Sequence, residues 1–268
     1  MNKEYKFYHV ISDLIKYKQC KEAGVKQMLI SYFYLRNNHR LLHALINDDE
    51  IEVIVDSGLY SYSNSVEITE EEAKNYSNEY IAFIKKYQHY PCFKNFFELD
   101  FDLIGYDYHT FVKPYQEQLL NATDKMILIC QKGRSISDIE EMLTKNVNTI
   151  AIPFASNVER TWFDYRLLID MCYSKNKRVH LLGCSTVEYL VYASQSDSSS
   201  WFMSAAMGEE CRLILGSIKT FHYTESDEIA KDYHTRAIRN AKFYKNEFQD
   251  LVNKKKTNEP RYECLRLF

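Results

Sequence analysis

The chain has 268 residues, of which 46% are hydrophobic and 15% aromatic, with a formal net charge of −3. That is enough apolar chain for one sizeable core, and the near-balanced charge excludes a protein held on a polyanion or a membrane by a global basic field. No run approaches the roughly 18 apolar residues of a membrane span, and the first ten residues, MNKEYKFYHV, lack the apolar core of a signal peptide, so a soluble, cytoplasmic protein with no membrane partner is expected.

In chain order, short apolar runs alternate with longer amphipathic stretches. MLISYF (28–33) and IEVIVD (51–56) are the first two predicted strands. Thr69-Glu70-Glu71-Glu72 is a capping box before a helix with Ala73, Tyr76, Tyr80 and Ile84 on one face. FFELDF (96–101) and MILIC (126–130) follow as strands, then a second box at Ser137-Asp138-Ile139-Glu140. NTIAIP (148–153) leads into Ser156-Asn157-Val158-Glu159, and RVHLLG (178–183) into Ser185-Thr186-Val187-Glu188. Weaker strand candidates lie at 191–196 and 211–215, and residues 226–254 form a helical tail with Ile229, Tyr233, Ala237, Ala241, Tyr244, Phe248 and Leu251 in its stripe. Serial strand and capped-helix units require parallel strands with crossovers. About eight of them, with no G-x-G-x-x-G or P-loop glycine pattern, predict an α/β (β/α)8 TIM barrel over residues 1–222 and a helical extension over 223–268 packed on it.

The seven cysteines (Cys20, Cys92, Cys130, Cys172, Cys184, Cys211, Cys264) are scattered without a C-x-C or C-x-x-C pair. They read as reduced structural thiols, and no metal is expected. In such a barrel the chemistry sits where strands end, and here the ends are acidic or amide-bearing. Asp56 closes the second run, Glu98, Asp100 and Asp102 the third, Gln131 the fourth, and Asp197 lies in YASQSDSSSW. Taken singly, Asp56-Ser57-Gly58 is also ordinary turn chemistry and Asp197 an ordinary helix cap.

Together and in this order the segments resemble the guanine transglycosylases, barrel enzymes that exchange a guanine in a polynucleotide for a 7-deazaguanine. Asp56-Ser57-Gly58-Leu59-Tyr60 is similar to the family's D-S-G-G-[FY] strand end, Cys130-Gln131-Lys132-Gly133 to its Q-G segment, residues 178–185 to the strand and turn before the nucleophile, and Ser196-Asp197 to the nucleophilic aspartate. The serine-rich S-D-S-S-S-W resembles the small phage and bacterial branch that modifies DNA. The chain lacks the C-x-C-x-x-C zinc subdomain of tRNA-modifying members, having only Cys264 there. It also carries Pro153-Phe154 in place of a double glycine, and Ser61 in place of a glutamine.

The resemblance implies base exchange in the cytoplasm of a bacterial or phage-infected cell, with Asp197 as nucleophile on C1′ and Asp56 as general acid and base. Asp100, Gln131, Ser57 and Tyr60 would bind the base; strand alternation leaves Asp102 as an alternative to Asp100. No organic cofactor is implied. The partners are DNA, single-stranded or locally opened, and a free 7-deazaguanine base, with Arg236, Arg239 and Lys242 of the basic tail as the predicted polymer contact. A tRNA-guanine transglycosylase-like enzyme, a base-releasing hydrolase and a non-catalytic base-binding barrel remain as alternatives, and the oligomeric state stays open.

Overall fold

The computed structural model describes residues 4–63, 68–154, 162–223 and 232–258. Eight parallel strands pair in sequence order and close on themselves: β1 (Lys6–Ile11), β2 (Gln27–Ser31), β3 (Glu52–Asp56), β4 (Phe93–Phe97), β5 (Met126–Ile129), β6 (Thr149–Pro153), β7 (Arg178–Leu182) and β8 (Gln195–Ser198). Helices lie between successive strands, so the expected (β/α)8 barrel is the fold. Side chains alternate between two cores. Tyr8, Leu29, Ile54, Phe97 and Ile129 fill the barrel interior, while Phe7, Val53, Val55 and Phe96 face the surrounding helices.

Helix Glu70–Tyr87 begins as expected. Thr69 Oγ1 accepts from Glu72 N–H at 3.3 Å and Glu72 Oε2 accepts from Thr69 N–H at 2.9 Å. Its buried tyrosines fasten it to the strand ends, Tyr76 donating to Ser57 O at 2.6 Å and Tyr80 to Phe97 O at 2.9 Å. The second box lies two residues earlier than predicted: Ser135, not Ser137, caps helix Ile136–Thr144, with Asp138 reaching back to it. Thr186 stands at the cap of the short helix Val187–Leu190 without a side-chain hydrogen bond, and the Ser156 box and Ile229 of the tail stripe lie outside the described residues.

Four strands differ from expectation: β4 begins three residues before the predicted 96–101, β8 lies later than 191–196, and β1 and the 211–215 candidate differ more. KFYHVI supplies β1, where a lysine and a histidine interrupt the apolar pattern. His9 is nonetheless buried, its Nε2 hydrogen-bonded to Ala241 O at 3.0 Å. Residues 211–215 do not build the barrel. They belong to β9 (Glu209–Ile214), which pairs antiparallel with β10 (Ser217–His222) in a separate hairpin.

The tail runs antiparallel to β1 on the barrel's outside. Ala241 sits beside His9, Gln249 Oε1 accepts from Phe7 N–H at 3.1 Å, and Asn253 Oδ1 from Tyr5 N–H at 2.9 Å. Tyr244 stacks on Phe7 with ring centroids 5.0 Å apart. Helix Tyr233–Phe243 therefore turns an apolar stripe inward, but it also buries Arg236, whose Nε donates to Ala205 O at 3.0 Å.

One backbone position fixes where β3 ends. Gly58 has φ +81°, and a Cβ there would meet Ser31 Oγ and lie 2.8 Å from Phe33 N. Gly58→Ala is expected to destabilise the protein by about 2 kcal/mol or more, from left-handed backbone cost plus overpacking. Urea unfolding checks this: the midpoint should fall with the slope unchanged, whereas an unmoved midpoint would show that the turn relaxes around a side chain.

Candidate active site

Five strand ends contribute to one mouth. Asp56 ends β3, Asp100 follows β4, Gln131 follows β5, and His180 and Asp197 occupy inward positions on the neighbouring strands β7 and β8. In the closed order Asp56 is separated from Asp197 by β1 and β2, which places the two carboxylates on different sides of the opening.

Asp197 is buried, and its anchoring is specific. His180 Nε2 lies 2.8 Å and Gly183 N 3.2 Å from the same oxygen, Oδ1. Arg178 donates to Gln195 Oε1 at 3.4 Å, which turns the Gln195 amide nitrogen toward His180 Nδ1 at 3.1 Å. With Nδ1 accepting, the imidazole proton is on Nε2 and points at Asp197. Both anchors thus fall on Oδ1, and Oδ2 is the oxygen left for chemistry. His180 and the Gly183 amide were not singled out in the sequence, where residues 178–185 read only as a strand and turn before the nucleophile. A histidine at an inward strand position beside an aspartate on the next strand is the signal that would have found them.

Asp56 has a different environment. It accepts from Gly58 N–H at 3.3 Å, and the Ser57 backbone N–H also favours its charged form. Burial pushes its carboxyl up to about 8, and the charges of Asp100 and then Asp197 add to the shift. Asp100 is raised to about 7 by burial, followed by Asp102 and Glu98.

Ser57 Oγ donates to Asp100 Oδ1 at 3.2 Å and Gln131 Nε2 to Asp100 Oδ2 at 3.0 Å, so three of the four predicted base-binding residues converge. Asp102 is committed elsewhere. Arg134 clasps it through Nε at 2.6 Å and Nη2 at 3.1 Å, and also pairs with buried Glu98 at 2.7 Å. Alternation could not separate the two aspartates because β4 stops at Phe97 and Asp100 begins a tight 3-10 turn, Phe101–Ile104. Glu98 also accepts from Ile129 N–H at 2.7 Å, and Arg134 donates to Ile129 O at 2.7 Å. This unforeseen ion pair therefore holds the end of β5, next to Gln131.

Tyr60, the predicted stacking face, lies on the short helix Leu59–Ser63 and is 56% exposed, so it does not line an enclosed slot. The predicted polymer patch is also corrected. Arg236 is buried in the tail packing and Arg239 Nη1 is paired with Glu210 at 3.2 Å; only Lys242 of the three is an exposed cation outside such pairing. Among the described residues no group of three or more His, Cys, Asp or Glu side chains is arranged to hold a metal ion, and Cys264 lies outside them. No described helix is long and apolar enough to cross a membrane.

No family model matches the chain, and no curated protein does. Among solved structures it is similar to mutant tryptophan synthase alpha-subunits from the hyperthermophile Pyrococcus furiosus. One has a TM-score of 0.47 at 9% identity and another 0.49 at 9%, each over 88% of this chain and 96% of the other. These values carry nothing about the site.

The shift at Asp56 has a sign that can be measured. In the unfolded chain the carboxyl titrates near 4, and in the fold near 8. Between those values the unfolded state has released a proton that the native state keeps, so the Asp56 contribution to stability falls as pH rises through the window. Asp56→Asn is therefore expected to raise Tm little at pH 4 and progressively more toward pH 8. Calorimetry at both ends checks it; equal changes would mean that Asp56 ionises as an ordinary surface acid.

Proposed function

We propose that this barrel is an enzyme, a base-exchange glycosyltransferase that replaces guanine in DNA with a 7-deazaguanine through a covalent aspartyl-deoxyribose intermediate. The observation that carries the reading is the pair of unlike carboxylates at one mouth: Asp197 anchored through Oδ1 by two N–H donors, and Asp56 raised to about 8.

Each has the property that one half of the exchange requires. Asp197 Oδ2 attacks C1′, the C1′–N9 bond breaks, and its electron pair leaves with the purine, which takes the Asp56 proton. The incoming base then gives its N9 proton to the Asp56 carboxylate, N9 attacks C1′, and Asp197 departs as a carboxylate. Asp56 must be protonated in the first half and ionised in the second, which an acid poised near the working pH does best. Asp100 offers acceptors to the N1–H and 2-amino edge of a guanine, while Gln131 and Ser57 are the donors beside it. Protons and leaving groups balance on the two aspartates.

The test is incubation with guanine-containing DNA or tRNA and candidate 7-deazaguanines, followed by digestion to nucleosides and mass spectrometry. A 7-deazaguanine nucleoside should appear in DNA. Asp197→Asn should abolish exchange with the fold intact, and Asp56→Asn should slow it by about 10²-fold or more. The cleavage half-reaction should weaken as pH rises through about 8. Product confined to tRNA, release of guanine without incorporation, or full activity in Asp197→Asn would each overturn the proposal.

A further inference from the structure

The β9–β10 hairpin breaks three local rules at once. Its two-residue turn is Leu215-Gly216, with φ of 49° and 76°. Gly216 suits that left-handed geometry, but Leu215 does not, because a side-chain-bearing residue without local hydrogen bonding is disfavoured there. The same leucine is wholly exposed, and Ile214 beside it is also exposed. Arg212 stands directly opposite Lys219 in the ladder, and both are exposed like charges.

None of this serves the hairpin's own stability, and strain of this kind is a pointer to function. Among the described residues, the hairpin cation left facing solvent without a carboxylate partner is Lys219. The hairpin's glutamates, Glu209 and Glu210, are largely covered and engaged by His222, Arg212, Arg239 and Tyr223.

The base of the hairpin is firmly held at the mouth end of the barrel. Asn240 accepts from Cys211 N–H at 2.9 Å and donates to Glu209 O and to Trp201 O, both at 3.1 Å. Trp201 Nε1 in turn donates to Val10 O at 3.0 Å. Since Tyr8 lies level with Asp197 in the β1–β8 register, Val10 is two residues nearer the mouth.

We propose that this hairpin is a duplex-opening contact: Leu215 enters the base stack beside the extracted guanine, while Lys219 holds a flanking phosphate. The assignment rests on the DNA base-exchange reading. A base inside a duplex cannot reach a barrel mouth without leaving its stack, and an apolar wedge flanked by cations is a general way to drive that unstacking.

The experiment compares the wild-type chain, Leu215→Asn, and Lys219→Ala on a guanine-containing duplex with 2-aminopurine beside the target, and on its single strand. Asparagine tolerates the left-handed turn, so Leu215→Asn should melt no lower than wild type. The fluorescence rise on duplex binding should be lost in Leu215→Asn, and its duplex-to-single-strand exchange ratio should fall about tenfold or more. Lys219→Ala should flatten the slope of log affinity against log salt by close to 1, at about 0.9 per phosphate contact.

An unchanged ratio and salt slope in active variants would overturn the hairpin assignment alone. So would self-association of the wild type that Leu215→Asn abolishes with DNA binding intact, since a second copy would then be the occupant. Hairpin-dependent duplex opening without any base exchange would uphold the hairpin and overturn the enzymatic reading instead.

Discussion

A strand of four polar residues closes this barrel, and the structure depends on how they are satisfied. Gln195, Ser196, Asp197 and Ser198 are all buried. Leaving one such group without a partner costs about 1–3 kcal/mol, so the strand would be untenable in an ordinary core. Here the inward pair answers to β7, Gln195 through His180 Nδ1 and Asp197 through His180 Nε2. The outward Ser196 bonds Tyr5 Oη at 2.6 Å and Cys184 O at 2.9 Å, and Ser198 bonds Ser200 at 2.7 Å. The side chains that let the barrel close are the ones that aim Asp197, so closure and site geometry are the same set of hydrogen bonds.

The other side of the mouth is organised by repulsion held in check. Glu98, Asp100 and Asp102 fall within five residues, and stacking that much acid at one strand end is tolerable because Arg134 takes two of the three. With Glu98 and Asp102 neutralised and fixed, Asp100 is left facing Ser57 and Gln131, and Asp56 is left with no cation of its own among its largest influences. A protein selected only for stability has no reason to keep Asp56 in such a place. The raised carboxyl is a local cost that an acid/base role explains, the usual relation between strain and function at a site.

How much of this was legible follows from which signals are local. Parallel topology could be read because capped helices and apolar runs are short-range patterns, and the Thr69 box sits where the sequence puts it. β1 and β8 were missed or blurred because their polar residues are reconciled only by distant partners: His9 by Ala241, and the β8 side chains by β7 and Tyr5. The same holds in the site. Asp56, Ser57, Asp100, Gln131 and Asp197 could be named because each closes or follows a strand run. His180 and Arg134 could not, since their roles appear only when β7 meets β8 and the loop after β5 folds back on the end of β4.

The tail shows the limit of counting charge along a chain. Arg236, Arg239 and Lys242 recur at helical spacing and look like one basic face. Arg236 instead lies on the inward side and Arg239 pairs with Glu210, and farther along Lys256 donates to Ala193 O while burial pulls it down to about 8. A cation already spending its hydrogen bonds on the protein releases little counterion when a phosphate arrives, because only unpaired charge displaces the condensed ions that drive such binding. For a chain of net charge −3 the useful question is therefore which cations face solvent away from neighbouring carboxylates. By that measure Lys219 and Lys242, both exposed and distant in sequence from each other, matter more than the densest basic stretch of the tail.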